Sequence, residues 1–292
     1  MLDCKKHILS TIAHNDCCSH AFINAIIYFS AQISKDRNSV FVSGDEEILN
    51  RFANIVNNCY PNVEIDRWDN FLFLKGNIYQ LLTDVNYNNK LDLSLFPNEC
   101  DRLTILKTAF LSVGRFYYNQ DNTKNSKGYS LEFVFRKEHD ANMILEVLNE
   151  FGFILKKIKR SSNFVIYIKN SNTICDLFVK LGASYTALEI QNNLAIREIR
   201  NNANRQNNCF ESNLDKTLTK SAEQLEAINY IFNNYSIDYL DESLREVALA
   251  RIANPDVSLN DLRLVLNNKL SRAGIKYRLD KIIEISKKLK GE

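Results

Sequence analysis

Glycine and proline are scarce in this chain, which has 8 and 3 of them among 292 residues. Because these residues dominate flexible connecting segments, long flexible linkers are not expected. The chain is longer than one typical domain, so two domains are predicted. Its apolar share of 45% and charged share of 25% are typical of a globular protein in water.

Long apolar runs are also missing. The longest nearly apolar stretch, "AFINAIIYFSA" (Ala21 to Ala31), is about half the length that a membrane-spanning helix needs. The first ten residues, "MLDCKKHILS", have no apolar core behind the lysines, which argues against a signal peptide. We therefore expect a cytoplasmic protein that does not interact with membranes.

The seven cysteines include no C-x-x-C pair, and their number is odd. In a chain without a secretion signal, this favours reduced thiols. The cluster "HNDCCSH" raises the question of zinc, through His14, Cys17, Cys18 and His20. Adjacent residues on a helix point about 100° apart, which suits a tetrahedral site poorly. A structural helix start is the favoured interpretation, and neither a metal nor a cofactor is expected.

Acidic residues are absent from residues 103 to 119, a region that includes "ILKTAFLSVGRFYY". This stretch is typical of an amphipathic helix that ends at Gly114, with small residues at close-packing spacing (Thr108, Ala109 and Ser112). The stretch from Cys17 to Ile33, "CCSHAFINAIIYFSAQI", has the same character and also lacks acids. The sequence thus predicts two closely packing helices with no acidic residue where they end.

The two helices belong to an internal repeat. "DNFLFLKGNIYQLLTDV" (Asp69 to Val85) matches "SNFVIYIKNSNTICDLFVKL" (Ser162 to Leu181): each is a strand ending in Lys, then an Asn and a helix. The predicted order of elements is helix, strand, helix, strand, strand, helix, twice over. Two such halves are expected to pack about a pseudo-twofold axis, with the two acid-free helices at the axis. The second helix of each repeat has an apolar face, and the spacing of the apolar residues is the same in both. These residues are Leu49, Phe52, Ala53 and Val56 in the first repeat, and Ala141, Ile144, Leu145 and Leu148 in the second.

A doubled αββαββα unit with its first helices at the axis resembles the LAGLIDADG homing-endonuclease fold. In that family each central helix ends in an acidic residue, and the two acids hold the catalytic divalent metal. The matching positions here, Val113 and Ser30 or Ala31, are not acidic. The resemblance therefore implies a fold without catalytic residues. The alternative is a metal-dependent endonuclease with displaced acids, Asp36 and Asp121, which lie in the following loops.

Over nearly its whole length, and most strongly from about Leu181 onward, the chain resembles the WhiA family of bacterial sporulation and cell-division regulators. The resemblance is carried by "VKLGASYTALEIQNNLAIREIRNNANRQNNCFESNLDKT" and "SLREVALARIANPDVSLNDLRLVLNNKLSRAGIKYRLDKIIEISKKL". It implies an α+β fold in which a degenerate LAGLIDADG-like domain precedes an all-α helix-turn-helix domain of the sigma-region-4 type. The expected organisation is 1–195 (repeats at about 1–95 and 96–190), a connector at 196–215, and the helix-turn-helix domain at 216–292. The implied function is transcription regulation in cell division, chromosome segregation or sporulation.

Independently of the family resemblance, the residue pattern of the C-terminal segment predicts a helix-turn-helix. Ser258 and Ser271 are N-cap candidates on either side of the turn "NNKL". In the second helix, Ile275, Leu279, Ile282 and Ser286 share one predicted core face. The opposite face is predicted to carry Ala273, Gly274, Tyr277, Arg278, Lys281 and Lys288. A glycine on that outward face costs about 1 kcal/mol relative to alanine, and close approach of a DNA groove would explain it.

Residues 267 to 290 contain eight basic and two acidic residues, a net charge of +6, whereas the whole chain carries +2. Such a basic segment predicts a polyanion partner, and double-stranded DNA at promoter or chromosomal sites is the expected one. We expect Tyr277 and Arg278 to contact base edges. The family pattern S-K-S-G-x-N-H-R stands here as S-R-A-G-I-K-Y-R, which matches Ser271, Gly274 and Arg278. The full set of predicted DNA-binding residues is Ser258, Ser271, Arg272, Gly274, Lys276, Tyr277, Arg278 and Lys281.

Other interpretations stay open at this point. The basic helix could be an ordinary solvated face, and the connector "REIRNNANRQNNCFESNLDKT" has two interpretations. Its Arg197, Arg200 and Arg205 could form a secondary DNA contact, or its amides could cap a hinge between the domains. The N-terminal domain could serve as a saddle for DNA or bind a protein partner. An RNA-binding role ranks last, because the aromatic strand pattern of common RNA-binding sheets is missing.

Overall fold

The structure is a computed structural model that describes residues 2–13, 15–84, 91–118 and 128–291. His14 and Asp121, both considered above, lie outside the described residues. The chain divides into two compact units, Met1–Ala195 and Ile196–Glu292. Each unit has a hydrophobic core of its own.

The first unit is built from two copies of one arrangement. Each copy forms a four-stranded antiparallel sheet, with strand orders β1-β2-β4-β3 and β5-β6-β8-β7. The first copy follows helix α1 (Leu2–Ser10) and contains α2 (Asp16–Ser30), β1 (Ala31–Ile33), β2 (Val40–Ser43), α3 (Glu46–Cys59), β3 (Val63–Trp68), β4 (Phe71–Gly76) and α4 (Tyr79–Asp84). The second contains α5 (Glu99–Val113), β5 (Gly114–Tyr117), β6 (Ser130–Phe135), α6 (Glu138–Glu150), β7 (Lys156–Arg160), β8 (Asn163–Ile168) and α7 (Ser171–Leu181).

This duplication confirms the predicted αββαββα repeat, but the predicted order of elements omitted the first strand of each copy. Strands β1 and β5 follow their helices without an intervening loop, and they have only three and four residues. Runs that short are too brief to show the alternating apolar pattern that marks a half-buried strand. Helix α2 ends at Ser30. The residues from Ala31 to Ile33, which belong to the stretch predicted as helix, are therefore strand.

Helices α2 and α5 pack against each other in the centre of the unit. The predicted small residues Thr108 and Ala109 are fully buried, and Ala21 and Ala25 are equally buried on α2. Small side chains let the two backbones approach closely, which is why both helices are nearly buried over much of their length. The sheets cover this pair with apolar residues such as Phe133.

Gly114 is required by close approach rather than by an unusual backbone angle. It caps α5 with φ −75° and ψ 142°, an ordinary extended conformation. A Cβ atom at this position would lie 2.4 Å from the carbonyl oxygen and from a ring carbon of Phe110. Glycine therefore allows the chain to turn directly from the helix into β5, against the Phe110 ring.

The segment 196–215, predicted as a connector between the domains, is helical throughout. It lies within one helix, α8 (Ser184–Tyr235), of 52 residues. The sequence of α8 contains no glycine and no proline, so nothing in it interrupts the i to i−4 hydrogen bonds. Asparagine has only moderate helix propensity, but its cost per residue is too small to break a long helix.

The second unit is all-helical and contains most of α8, from Ile196 onward, then α9 (Glu242–Ala253), α10 (Leu259–Val265) and α11 (Arg272–Lys290). Its core includes Ile228, Val247, Leu262 and Leu279, so every helix contributes to it. Across the described parts of the chain, no helix combines the length and apolar character needed to cross a bilayer.

Candidate nucleic-acid interface

The helix pair α10 and α11 begins at the two predicted caps. The backbone N–H of Asp261 donates to Ser258 Oγ at 3.2 Å, and that hydroxyl donates to the Asp261 carboxylate at 2.7 Å. At the start of α11, Ser271 Oγ accepts from the N–H of Gly274 at 3.1 Å. Such caps satisfy first-turn N–H groups that the helix itself leaves unpaired.

The turn between these helices uses two asparagines in the left-handed region. Asn267 and Asn268 have φ values of 50° and 56°. Asparagine tolerates this conformation better than most residues, which explains the "NN" of the turn. The turn brings α11 onto α10 in the order expected for a helix-turn-helix.

A buried arginine holds the loop that leads into α10. Arg251 is 2% exposed, and its guanidinium Nη1 lies 2.8 Å from the carbonyl oxygen of Val257 and 3.4 Å from that of Asn254. Burial lowers the pKa of Arg251 from its usual value. Sequence reasoning missed this residue, because an arginine at helical spacing reads as a surface residue unless its carbonyl partners are known.

The core face of α11 is as predicted: Ile275, Leu279 and Ile282 are fully buried. Tyr277 is 67% exposed and lies at the centre of the outward face. Gly274 and Arg278, predicted for the outward face, are instead half-buried on its flank. The helical geometry explains the difference, since both residues lie about 100° of rotation or less from the core side chains. A Cβ on Gly274 would approach only Ser271 Oγ, at 3.4 Å.

Ion pairs divide the basic residues of this segment into two groups. Lys269 pairs with Glu246 at 3.3 Å, Lys288 with Glu284 at 2.8 Å and Lys290 with Glu226 at 2.9 Å. Within the described residues, the other five cations have no ion-pair partner; one is Lys287, and four lie in the first half of α11: Arg272, Lys276, Arg278 and Lys281. The uncompensated positive charge is therefore concentrated where a recognition helix contacts DNA.

A cavity of about 440 Å³ lies beside the start of α11. Arg272 and Lys276 line it together with Ser258 of α10. Lys216 and Lys220 of α8 line it as well, and sequence reasoning missed both because they lie more than 50 residues away in the chain. The buried Arg251 and the carboxylate of Asp280 also line the cavity, so five basic side chains face one acidic one. This excess of positive charge at one concave surface suits a phosphate group.

The three arginines of the predicted secondary contact all lie on α8. Arg200 and Arg205 are exposed, and Arg197 is half-buried. Rotation by 100° per residue separates Arg200 from Arg205 by about 140°, so the three do not form one tight cluster.

At the C-terminal ends of α2 and α5, the structure places the positions that hold acids in the nucleases. Ser30 Oγ lies 2.9 Å from Ser112 Oγ across the axis. Both Ser30 and Val113 line a cavity of about 590 Å³. One carboxylate also lines it, that of Asp140 at the start of α6, which accepts a hydrogen bond from the Tyr28 hydroxyl at 2.5 Å.

Sequence reasoning missed Asp140 because it lies 27 residues after Val113 and carries no motif. Asp36, one of the two predicted displaced acids, is exposed and accepts hydrogen bonds from Asn38. A hydrogen bond from Ser34 lowers the pKa of Asp36. Asp36 does not line the cavity at the helix ends.

The outward faces of the two sheets differ in charge. In the first sheet, strand pairing places Phe73 beside Phe41 and Asp66, and Lys75 beside Glu64. The charged residues of this face are Lys75, Glu64 and Asp66, which sum to −1. Its exposed aromatic residues are Phe41, Trp68 and Phe71.

In the second sheet, the equivalent face is basic. Arg115, Glu132, Tyr167 and Lys156 follow one another across the strands, and Arg160 lies on the same face. Glu132 is 6% exposed and pairs with Arg160 at 3.3 Å. Three cations and one anion give this face a charge of +2, opposite in sign to that of the first sheet.

A third group of polar residues lies at the N-terminal ends of α2 and α5. Cys17 and Cys18 of α2 meet Cys100 and Asp101 of α5, and the ligand atoms of all four lie within 4.8 Å of one another. Hydrogen bonding with Asp101, together with burial, raises the pKa of Cys17 to about 12. Of the histidines considered with these cysteines, His20 instead packs edge-on against Tyr60, with ring centroids 6.3 Å apart.

Comparison with known proteins agrees with this architecture. Residues 103–200 match the family description "WhiA LAGLIDADG-like domain", and residues 203–286 match "WhiA C-terminal HTH domain". A protein from Caldicellulosiruptor saccharolyticus named "Probable cell division protein WhiA" is 30% identical over 98% of this chain and 94% of its own length. The chain belongs to the WhiA family.

Other WhiA proteins give the same result. The "Probable cell division protein WhiA" of Ruminiclostridium cellulolyticum is 31% identical over 95% of this chain and 93% of its own length. The crystal structure of full-length WhiA from Thermotoga maritima matches with a TM-score of 0.55 and 20% identity, covering 98% of this chain and 97% of that one. The predicted fold, a LAGLIDADG-like domain followed by a WhiA helix-turn-helix domain, is thus confirmed.

Proposed function

We propose that this protein is a DNA-binding transcription regulator that acts in bacterial cell division, chromosome segregation or sporulation. Membership of the WhiA family supports the cell-division role, because the relatives are named as probable cell division proteins. The observation that carries the DNA-binding proposal is the unpaired positive charge on the first half of α11, beside the exposed Tyr277. The protein acts on double-stranded DNA at promoter or chromosomal sites and associates with the nucleoid.

In this proposal, α11 lies in the major groove and its first turns contact the bases. Arg278 donates to a guanine, the commonest specific contact of arginine, and Tyr277 contacts the neighbouring base edge. The half-buried position of Arg278 favours specificity, because a partly packed side chain loses less conformational entropy when it binds. Gly274 leaves room for close approach of the groove wall.

The phosphate contacts surround this helix. Ser258, Ser271, Arg272, Lys276 and Lys281 are assigned to the sugar-phosphate backbone, which fixes the register of the helix on the duplex. Lys216 and Lys220 join this set, since they line the same cavity as Arg272 and Lys276. Arg197, Arg200 and Arg205 on α8 are assigned to a secondary, non-specific contact.

The experiment is a gel-shift titration together with genome-wide mapping of bound DNA, with the wild-type protein beside Arg278→Ala. We expect the change to cost about 1–3 kcal/mol of discrimination and to relax the sequence preference at one position. Lys288→Ala is the matched control, because Lys288 lies on the same helix but pairs with Glu284. If Arg278→Ala left both affinity and preference unchanged, this placement of the recognition helix would be wrong.

We further propose that the LAGLIDADG-like domain does not cut DNA and is not an enzyme. In this fold, two-metal hydrolysis needs a carboxylate at the C-terminal end of each axial helix. Those ends hold Ser30, Ser112 and Val113, and the carboxylate of Asp140 that lines the cavity is hydrogen-bonded to Tyr28. The alternative, a nuclease with displaced acids such as Asp36 and Asp121, is tested by incubating plasmid DNA with the protein and Mg²⁺ or Mn²⁺. Metal-dependent cutting that is lost in Asp36→Asn, Asp121→Asn or Asp140→Asn would overturn the proposal.

The different charges of the two sheet faces support different partners for the two halves of this domain. The basic face of the second sheet suits a phosphate backbone, whereas aromatic residues with a small negative charge on the first sheet suit a protein partner. Arg115→Glu should weaken DNA binding by the full-length protein. Trp68→Ala, on a side chain that is 70% exposed, should leave DNA binding unchanged.

A further inference from the structure

The N-terminal ends of α2 and α5 carry equivalent pairs of residues. Cys17 and Cys100 are each the second residue of their helix, and Cys18 and Asp101 are each the third. The two helices therefore contribute two adjacent side chains each to one cluster at the axis. The objection to a metal site on a single helix, that adjacent residues diverge by about 100°, does not apply when the facing helix supplies the other two ligands.

Two distances between ligand atoms of this cluster are close to those of a tetrahedral thiolate site. With Zn–S bonds of about 2.3 Å and a Zn–O bond of about 2.0 Å, ideal tetrahedral geometry separates two sulfurs by about 3.8 Å and a sulfur from an oxygen by about 3.5 Å. Cys17 Sγ lies 3.6 Å from Cys100 Sγ, and Cys100 Sγ lies 3.5 Å from Asp101 Oδ1. A disulfide would need the sulfurs at about 2.05 Å.

The surroundings orient the carboxylate ligand. Asp101 is 3% exposed, and its Oδ2 accepts a hydrogen bond from Asn98 Nδ2 at 2.9 Å, which turns Oδ1 toward the sulfur atoms. Hydrogen bonds of this kind fix the orientation of metal-bound carboxylates in known sites. The buried ammonium of Lys107 interacts electrostatically with Cys18 and offsets part of the negative charge of the ligands.

We propose that Cys17, Cys18, Cys100 and Asp101 bind one divalent cation of the zinc type in a structural, tetrahedral site. Thiolate ligands select zinc over the hard cations magnesium and calcium. The two helix N-termini stabilise the thiolates through their partial positive charge. Each thiol releases its proton to solvent when it binds the ion, and no ligand is oxidised. The ion joins the starts of the two axial helices, at the ends opposite the Ser30–Ser112 contact.

The test uses the full-length protein, purified without chelator and analysed for bound metal. Cobalt(II) then replaces zinc as a spectroscopic probe, because tetrahedral thiolate coordination gives it intense visible and near-ultraviolet absorption. We expect one zinc per chain, a cobalt spectrum that saturates at one equivalent, and displacement of cobalt by zinc. Cys17→Ser and Cys100→Ser should each weaken zinc binding by about tenfold or more, since even changes around the ligands have effects of that size.

Cys209→Ser is the matched control, because Cys209 is exposed on α8 and lies outside the cluster. It should bind zinc as the wild type does. Cys100 is itself exposed, so its change to serine should leave the fold intact, and circular dichroism checks this. A protein without metal that gives no cobalt spectrum would overturn the proposal, as would equal zinc affinity in the wild type and both ligand variants. A Cys17–Cys100 disulfide in protein whose thiols were blocked at lysis would overturn it as well.

Discussion

The hydroxyl of Ser30 lies 2.9 Å from the hydroxyl of Ser112, so one hydrogen bond joins the last turns of α2 and α5 across the pseudo-twofold axis. Two carboxylates at these positions would repel each other unless a cation lay between them. Two serines need no ion, because each hydroxyl can both donate and accept. This hydrogen bond therefore joins the two helix ends without a bound ion.

We predict that Ser112→Ala lowers the free energy of unfolding by about 1 kcal/mol, as does Ser30→Ala. The double variant should cost less than the sum of the two, because the same hydrogen bond is lost in both. Urea unfolding of the four proteins gives this coupling energy directly. Strictly additive effects would show that the two hydroxyls do not interact.

Lys281→Ala should weaken binding to all DNA sequences alike and reduce the salt dependence. Loss of one phosphate contact lowers the slope of log K against log salt concentration by about 1. Lys288→Ala is the control, since its ammonium is already paired with Glu284. An unchanged slope for Lys281→Ala would remove this lysine from the contact surface.

Arg251→Met should destabilise the helix-turn-helix unit by about 2–4 kcal/mol, because the buried carbonyls of the 254–257 loop lose their donor. Arg263→Met, on the exposed side of α10, is expected to change stability by no more than about 0.5 kcal/mol. Chemical denaturation followed by circular dichroism measures both. The prediction fails if the two variants are equally stable.

Gly114→Ala should cost about 1–3 kcal/mol, since the added methyl group would overlap the Phe110 carbonyl and ring. At Gly128 a Cβ would meet nothing within 4 Å, so Gly128→Ala should be nearly neutral. A thermal unfolding comparison distinguishes the two. Similar melting temperatures would mean that the chain after α5 shifts to make room.

Local patterns were enough to predict the duplicated fold, the caps Ser258 and Ser271, and the buried face of α11. Each of these depends on residues close together in the chain, where helical or strand periodicity is visible. The strands β1 and β5 escaped detection because they are too short to show a period. The helical state of residues 196–215 was missed because asparagine favours loops locally, while the flanking helix overrides that preference.

Side chains that meet across long separations could not be predicted from the sequence. Cys100 and Asp101 join Cys17 only because the repeat brings two helix starts together. Asp140 lines the cavity at the ends of α2 and α5, and Lys216 lines the cavity beside α11. Both positions result from the packing of whole helices and strands. Arg251 is buried for the same reason.

The two sheets share one strand order but carry opposite charge on their outward faces. Because the two halves differ in surface charge, the two ends of this pseudo-twofold domain are not equivalent. A palindromic duplex or a symmetric protein dimer laid along it would meet a basic surface at one end and an aromatic, slightly acidic one at the other. A symmetric partner therefore cannot contact both halves alike, and an asymmetric partner has a single favoured orientation, although the backbone beneath it is nearly symmetric.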